Sequence, residues 1–280
     1  MKILVTGVNG QLGHDVIEVL TARGITCKGV DIADFDLTNQ EAVSTYIRDY
    51  APTAVIHCAA FTAVDRSEDD KELCFAVNVT GTENIARICR EIQAKMVYIS
   101  TDYVFDGKGD QPFETDAPKD PQGHYGRTKS LGEDKVREYL SEYFIVRTAW
   151  VFGINGNNFV KTMIRLGKER DELNVVADQF GSPTFSADLA VLLCDMIVTS
   201  RYGIYHATNE GFCSWYDFAS AIMKEAGLSA KVLPVTSEQY PSKAVRPKNS
   251  RLSKKSLDDA GFNRLPTWQD ALKRYVAQLH

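Results

Sequence analysis

The segment Thr6-Gly7-Val8-Asn9-Gly10-Gln11-Leu12-Gly13 most narrows what this chain can fold into. It follows a short apolar run, residues 2–5, and opens a helical pattern over residues 11–23. A G-x-x-G-x-x-G turn between strand and helix lets the backbone approach a pyrophosphate. The helix N-terminus then adds free N–H groups and a positive dipole end. The competing account is a glycine turn closing an ordinary βα unit. Asp31 follows the second apolar run, 26–30, where a carboxylate in such a unit holds an adenosine ribose hydroxyl. None of the ten residues after it is arginine. A carboxylate repels a 2′-phosphate, so Asp31 leans toward NADH over NADPH. Asp36 and Leu37 have the acid-plus-apolar character to contact adenine, or they belong to a polar loop.

Beyond this turn, β-rich runs alternate with longer helical patterns. Strands are predicted at 2–5, 26–30, 54–57, 96–100 and 144–147, and helices near 11–23, 39–50, 69–93 and 124–141. Near-continuous apolar strands alternating with helices indicate a parallel sheet covered on both faces. The predicted fold is α/β, a doubly wound Rossmann-like sheet over residues 1–150, with a smaller substrate-binding domain over 151–280. After Trp150 further strands are expected near 173–177, 203–206 and 231–234. Helices are expected near 159–168, 186–199, 214–226 and 267–279. The segments near 173–199 and 231–234 are expected to pack back onto the first domain. Residues 240–252, with Lys243, Arg246, Lys248 and Arg251, read as an exposed basic loop, either a solvated connection or a phosphate-binding element.

Composition excludes several classes. With 280 residues, 44% hydrophobic and 25% charged, the chain can bury a sizeable core. A net charge of −5 gives no basic footprint for nucleic acid. No apolar stretch approaches the ~20 residues of a membrane span, and residues 1–7 do not read as a signal peptide. A cytoplasmic location with no membrane or nucleic-acid partner is the expectation. The six cysteines include no C-x-x-C pair and read as reduced thiols. The five histidines form no H-E-x-x-H, and no metal site is expected.

Tyr-x-x-x-Lys occurs once, as Tyr125 to Lys129. This spacing puts both side chains on one helix face, a turn apart. A neighbouring ammonium favours the phenolate and turns a tyrosine into a usable acid–base group. The pair follows Ser100-Thr101-Asp102-Tyr103, at the end of the fourth predicted strand. Strand carboxyl ends form the ligand crevice in a doubly wound sheet. Ser100 and Thr101 alternate faces, so either hydroxyl could serve a carbonyl oxygen beside the tyrosine.

Further blocks follow in order: Ala59-Ala60-Phe61-Thr62-Ala63-Val64-Asp65, Ser100 to Gly107, Tyr125 to Lys129, and Arg147-Thr148-Ala149-Trp150-Val151-Phe152-Gly153. They continue with Asn157-Asn158-Phe159-Val160, Asp178-Gln179-Phe180-Gly181-Ser182-Pro183-Thr184 and Arg246 to Leu252. Taken together the chain resembles the dTDP-4-dehydrorhamnose reductase family, within the extended short-chain dehydrogenase/reductases, over essentially its whole length.

The resemblance implies reduction of the 4-keto group of dTDP-4-dehydro-β-L-rhamnose by NADPH or NADH, giving dTDP-L-rhamnose. By the same resemblance Tyr125 donates the proton, Lys129 positions cofactor and tyrosine, and Thr101 is the supporting hydroxyl. Gly7, Gly10, Gln11, Leu12, Gly13, Asp31, Asp36, Leu37, Ala59, Ala60 and Phe61 are then expected at the cofactor. Asp102, Tyr103 and Trp150 are expected at the substrate, Trp150 having also a plain reading as a core aromatic. Arg246 and Asn249 are expected at the diphosphate, since guanidinium pairs bidentately with phosphate.

The family usually has histidine at the position of Phe61. Some members build a magnesium-bridged dimer from glutamates; neither that metal nor that dimer is expected here, because positions 15, 188 and 278 hold Asp, Asp and Gln. Monomer and homodimer both stay open. The other functions weighed are a different nucleotide-sugar reductase or epimerase, and a non-catalytic subunit resembling the methionine adenosyltransferase regulatory subunit. An intact Thr101, Tyr125 and Lys129 favours the enzyme.

Overall fold

The computed structural model describes residues 1–279. In chain order the first half runs β1 (Lys2–Thr6), α1 (Gln11–Ala22), β2 (Thr26–Val30), α2 (Gln40–Tyr50), β3 (Ala54–His57), α3 (Lys71–Phe75), α4 (Thr82–Glu91), β4 (Lys95–Thr101), α5 (His124–Tyr139) and β5 (Tyr143–Thr148). The second half runs β6 (Val151–Phe152), α6 (Phe159–Glu169), β7 (Glu172–Val176), β8 (Phe180–Gly181), β9 (Thr184–Phe185), α7 (Ser186–Ile197), β10 (Gly203–His206), β11 (Cys213–Ser214), α8 (Trp215–Glu225), β12 (Lys231–Val235), α9 (Lys255–Asp259) and α10 (Trp268–Ala277).

Six strands form one parallel sheet in the order β10-β5-β4-β3-β1-β2. Its central strands are apolar on both faces because both faces are covered. On one side Ile3, Val5, Ile56, Val97 and Val146 pack with residues of α1 and α7. On the other Leu4, Val55, Met96 and Ile145 pack with residues of α2 and α4. The strand order reverses between β1 and β3, and a crevice opens there at the strand carboxyl ends.

The predicted strands and helices are present, most within one or two residues of their predicted bounds. The long helical pattern at 69–93 is the exception. It is α3 and α4 joined by a π-helical stretch, Ala76–Gly81. A separate apolar cluster, built around Phe152, Phe185, Phe218, Trp268 and Tyr275, forms the core of the second lobe.

The expected packing of the second half needs correction. The α7 helix does return to the first lobe, against α1. However, β7 and β12 pair with each other in their own two-stranded sheet, with Leu173 and Val175 in the second-lobe core. The alternating burial of β7 and the absence of any buried residue in β12 are those of a small surface ribbon. The strand that rejoins the main sheet is β10, beside β5. The Rossmann-like lobe is therefore discontinuous and takes residues from beyond 150. The 240–252 loop is also less exposed than expected. Ala244, Asn249, Ser250 and Leu252 are buried in it, while Tyr240 and Val245 are exposed.

Candidate active site

A cavity of about 770 Å³ runs along the carboxyl ends of β1, β3, β4 and β5 and reaches the second lobe. Every site residue expected from the sequence lines it except Phe61 and Asn249.

One end is built by the glycine turn. Gly7 has φ +73°, and a Cβ there would meet the Ala59 nitrogen at 2.6 Å; one at Gly13 would overlap the Gly7 carbonyl. These two positions need glycine so that the turn can close against β3 and α1. Gly10 caps α1 without a side-chain bond, which leaves first-turn N–H groups open toward the cavity. Asp31 Oδ2 accepts from the Asn9 N–H at 2.9 Å and Oδ1 from the Ile32 N–H at 2.8 Å, so the carboxylate is fixed beside the turn. Leu37 and the exposed Ile32 supply apolar surface nearby. The Asp36 carboxylate lines the same end and accepts from the Thr38 N–H and hydroxyl, both at 2.8 Å.

Ala59 and Ala60 bring backbone to the cavity. Phe61 is held outside it: its N–H donates to Asn78 Oδ1 at 2.8 Å, and the Arg66 guanidinium covers its ring. Two residues not expected at the site clamp the turn from the second lobe. Asn155 Nδ2 donates to the Asn9 carbonyl at 2.8 Å, and Asn158 Nδ2 to Gln11 Oε1 at 3.0 Å.

The middle of the cavity holds the acid–base groups. Register between β4 and β5 pairs Ser100 with Arg147 and Thr101 with Thr148. Ser100 donates to Glu133 Oε1 at 2.6 Å, and Arg147 grips that same buried carboxylate through Nε and Nη2, each at 2.8 Å. Both residues border the cavity, but the Ser100 hydroxyl is spent on the buried Glu133 carboxylate, which leaves Thr101 as the better placed hydroxyl for a bound group. The Thr101 hydroxyl donates to Asp102 Oδ1 at 3.0 Å.

Tyr125 and Lys129 project one turn apart from α5 into this part of the cavity. Gly126 makes room, because a Cβ there would collide with the Tyr103 carbonyl. The Tyr103 and Tyr125 rings consequently meet edge to face at 5.5 Å. Burial, reinforced by the Asp102 charge, pushes the Tyr125 phenol well above its ordinary pKa, with Thr101 pulling the other way. Burial draws Lys129 down to about 7, and its ammonium lies 4.0 Å from the centre of the Tyr98 ring. Burial raises Asp102 to about 6. Behind them His57 bonds Thr6 at 2.7 Å and Thr82 at 3.2 Å; buried beside Lys129, it falls to about 3 and stays neutral. A phenol kept protonated beside a hydroxyl and an ammonium can deliver a proton to a carbonyl oxygen being reduced.

The far end is the second-lobe side. Trp150 stacks on Trp215, with ring centroids 3.7 Å apart and planes 16° from parallel. Both line the cavity, and Trp215 had no sequence signal beyond an aromatic at a helix start. Arg246 reaches in from the 240–252 loop and donates to the Tyr103 hydroxyl at 3.2 Å and to Asp65 at 2.6 Å.

Asn249 does not join it. Only 1% exposed, it donates to the Lys108 and Gln111 carbonyls at 3.2 and 2.8 Å and ties two loops together. Its buried amide is spent on these two backbone carbonyls and is not free for a phosphate. The acids at positions 15 and 188 are also engaged within the chain, Asp15 by Ser186 and Asp188 by Arg274. All six cysteines are free thiols, and no described helix is long and apolar enough to cross a membrane.

A family model described as RmlD substrate binding domain matches residues 1–280. The dTDP-4-dehydrorhamnose reductase of Aggregatibacter actinomycetemcomitans is 40% identical over 291 residues, covering 99% of this chain and 98% of that one. Among solved structures, a dTDP-4-dehydrorhamnose reductase from Clostridium acetobutylicum aligns with a TM-score of 0.98 at 44% identity, covering 100% of this chain and 99% of the other. The Bacillus anthracis dTDP-4-dehydrorhamnose reductase, in complex with NADP, aligns with a TM-score of 0.97 at 43% identity, covering 99% of this chain and 100% of the other.

Proposed function

Since the chain belongs to the RmlD substrate-binding-domain family, that of the dTDP-4-dehydrorhamnose reductases, we propose that it reduces the 4-keto group of dTDP-4-dehydro-β-L-rhamnose to give dTDP-L-rhamnose. The observation that carries this reading is the convergence of Thr101, Tyr125 and Lys129 in one cavity that also contains the glycine turn. A non-catalytic binding subunit has no need of that convergence.

The residues at the turn fit a dinucleotide. The Cβ-free cradle at Gly7 and Gly13 and the uncapped start of α1 suit a pyrophosphate. Asp31 is fixed where it can accept from a ribose hydroxyl. A bound nicotinamide supplies the hydride. Lys129 holds the nicotinamide ribose and lowers the pKa of Tyr125 when charged. Thr101 and Tyr125 bracket the substrate carbonyl oxygen, and Tyr125 gives that oxygen its proton.

At the other end of the cavity, Trp150, Asp102 and Tyr103 meet the sugar, and Arg246 meets the diphosphate. Dividing the chain into a cofactor-binding part centred on residues 1–150 and a substrate-binding part centred on 151–280 is consistent with this layout, once β10 and α7 are assigned to the first.

The test is direct. Purified protein is incubated with NADH or NADPH and a panel of nucleotide-linked 4-keto sugars, and loss of reduced-cofactor absorbance is followed. Reduction of the dTDP-4-keto-6-deoxy sugar with formation of dTDP-L-rhamnose is expected. Preferential turnover of a different sugar, or turnover of none, overturns the proposal.

A further inference from the structure

Trp150 has φ +52°, a left-handed conformation unfavourable for a residue with a Cβ. Something must keep its indole in place. Two neighbours do, and the same small ribbon supplies both. Strand β8 pairs with β11, setting Gly181 against Cys213. Gly181 leaves room for the indole, since a Cβ there would meet the Trp150 ring at 2.9 Å. Trp215 follows β11 directly, as the first residue of α8. Its backbone is fixed by a capping box in which Ser214 and Asp217 bond each other reciprocally. Phe159 leans on the Trp215 ring at 4.6 Å. Trp215 is thus packed against the second-lobe core, while Trp150 sits in the short link between β5 and β6.

We propose that Trp215 is a positioning residue for the reduction: by stacking on Trp150 it holds that indole in its strained pose against the sugar and carries the seating of the second lobe into the substrate site. The inference rests on the reading above that Trp150 meets the nucleotide sugar. The backbone on either side of Trp150 is held by Thr184, whose N–H donates to the Trp150 carbonyl at 3.1 Å and whose hydroxyl donates to the Ala149 carbonyl at 2.7 Å. What the stack holds is the ring: without it the indole is free to turn away from the cavity wall. The cofactor turn, at the other end of the cavity, is untouched.

The chain has three tryptophans, and the third, Trp268, packs against Phe218 in the second-lobe core. Two indoles stacked face to face couple their transitions, so the pair is readable by circular dichroism as an exciton couplet. Trp150→Leu, Trp215→Leu and the milder Trp215→Phe are compared with wild type for the couplet, for KM of the dTDP-4-keto sugar and for KM of NADH. Trp215→Leu is expected to abolish the couplet, raise KM for the sugar roughly three- to tenfold and leave KM for NADH within about twofold. Trp215→Phe loses the couplet but keeps an aromatic face, and should recover most of the sugar affinity.

A role confined to folding would move both KM values together and would not be rescued in this graded way. If Trp215→Leu does not fold, Trp215→Phe carries the test, with a smaller rise in sugar KM alone. A rise in sugar KM for Trp150→Leu but not for either Trp215 variant overturns this inference and leaves the functional reading standing. No change for Trp150→Leu removes Trp150 from the sugar site and overturns this inference together with that placement, while the proposed reduction stands or falls on the turnover assay.

Discussion

Arg246 and Asp65 form an ion pair across the mouth of the cavity, guanidinium to carboxylate at 2.6 Å. Asp65 lies just after β3 and Arg246 in the 240–252 loop, so the pair pins a second-lobe loop to the first lobe. Asp65 also accepts from the Ala244 N–H at 3.1 Å, and Lys243 pairs with Asp69 close by. The guanidinium is therefore not idle, and a substrate diphosphate competes with Asp65 for it.

Arg246→Ala should raise KM for the dTDP-sugar and leave KM for the nicotinamide nearly unchanged. A charge-assisted hydrogen bond contributes ~1.5–3 kcal/mol, but part of this one is spent on Asp65 and the side chain is one-third exposed. The expected rise is about tenfold. Steady-state kinetics with each substrate varied in turn checks it; wild-type values for both would return the loop to a purely structural role.

Tyr125→Phe should keep cofactor affinity and lose turnover by ~10²–10⁴-fold. The ring still packs edge-on against Tyr103, so the protein should fold. NADH titration by fluorescence, alongside turnover, separates binding from chemistry. More than about a tenth of wild-type activity would remove Tyr125 from the proton-transfer role.

Asp31→Ala should move the NADH/NADPH ratio of kcat/KM toward NADPH. The cavity-lining cations are Lys129 and Arg246, and neither belongs to the glycine-turn end where Asp31 is fixed. Relief of a carboxylate–phosphate repulsion should be worth ~1 kcal/mol or more, about a fivefold change in the ratio or greater. An unchanged ratio would take Asp31 out of the ribose site.

The pH profile should carry a limb from Lys129. Its folded pKa is drawn down from 10.5 to about 7 by burial, so its cation is present below about 7 and is lost as pH rises through it. For kcat/KM of NADH, which reports the free enzyme, the expected result is a fall above about pH 7 that is absent from Lys129→Met. A flat wild-type profile between pH 6 and 9 contradicts it. Stability runs the opposite way. Between about 7 and 10.5 the unfolded chain holds a proton that the folded chain has released, so this group's contribution favours folding more as pH rises.

Asp102→Asn should stabilise the protein near pH 7 while impairing turnover. Burial lifts this carboxyl from 3.8 to about 6, and its Oδ2 has no partner. A raised acid pKa means that stability falls as pH climbs from about 4 to 6. The neutral amide escapes that loss, a gain of ~1–2 kcal/mol. Thermal melts at pH 4 and pH 7.5 test it: the gain should appear only at the higher pH, and equal melting temperatures at both would refute it.

The elements were legible where local pattern decides them. Apolar runs such as those of β1, β3 and β4, and the Tyr125–Lys129 spacing, announce themselves without the rest of the chain. What stayed hidden depends on pairing between distant residues. Ser100 and Thr101 look alike as hydroxyls at a strand end; only the buried Glu133–Arg147 pair, which takes the Ser100 hydroxyl, tells them apart. Asn249 looked like a phosphate ligand because its neighbours are basic, yet its amide bonds the carbonyls of Lys108 and Gln111, 141 and 138 residues away. The π-helical stretch at Ala76–Gly81 was invisible inside a continuous helical pattern. Trp215 gave no signal because its role depends on meeting Trp150 across the cavity.

One topological detail limits how such a protein can be taken apart. The chain leaves the nucleotide-binding lobe after Trp150, returns to supply α7 and β10, departs, and returns once more with α9 and the residues after it, Leu257, Phe262 and Leu265 joining the first-lobe core. A single cut near residue 150 would strip the sheet of its edge strand and uncover the face of α1 that α7 protects. Neither fragment would then be a self-sufficient module, and a hybrid with new specificity cannot be assembled by joining two halves end to end. It would need a splice point at every crossing between the lobes, beginning with the one after Trp150 and including one on each side of every returning segment.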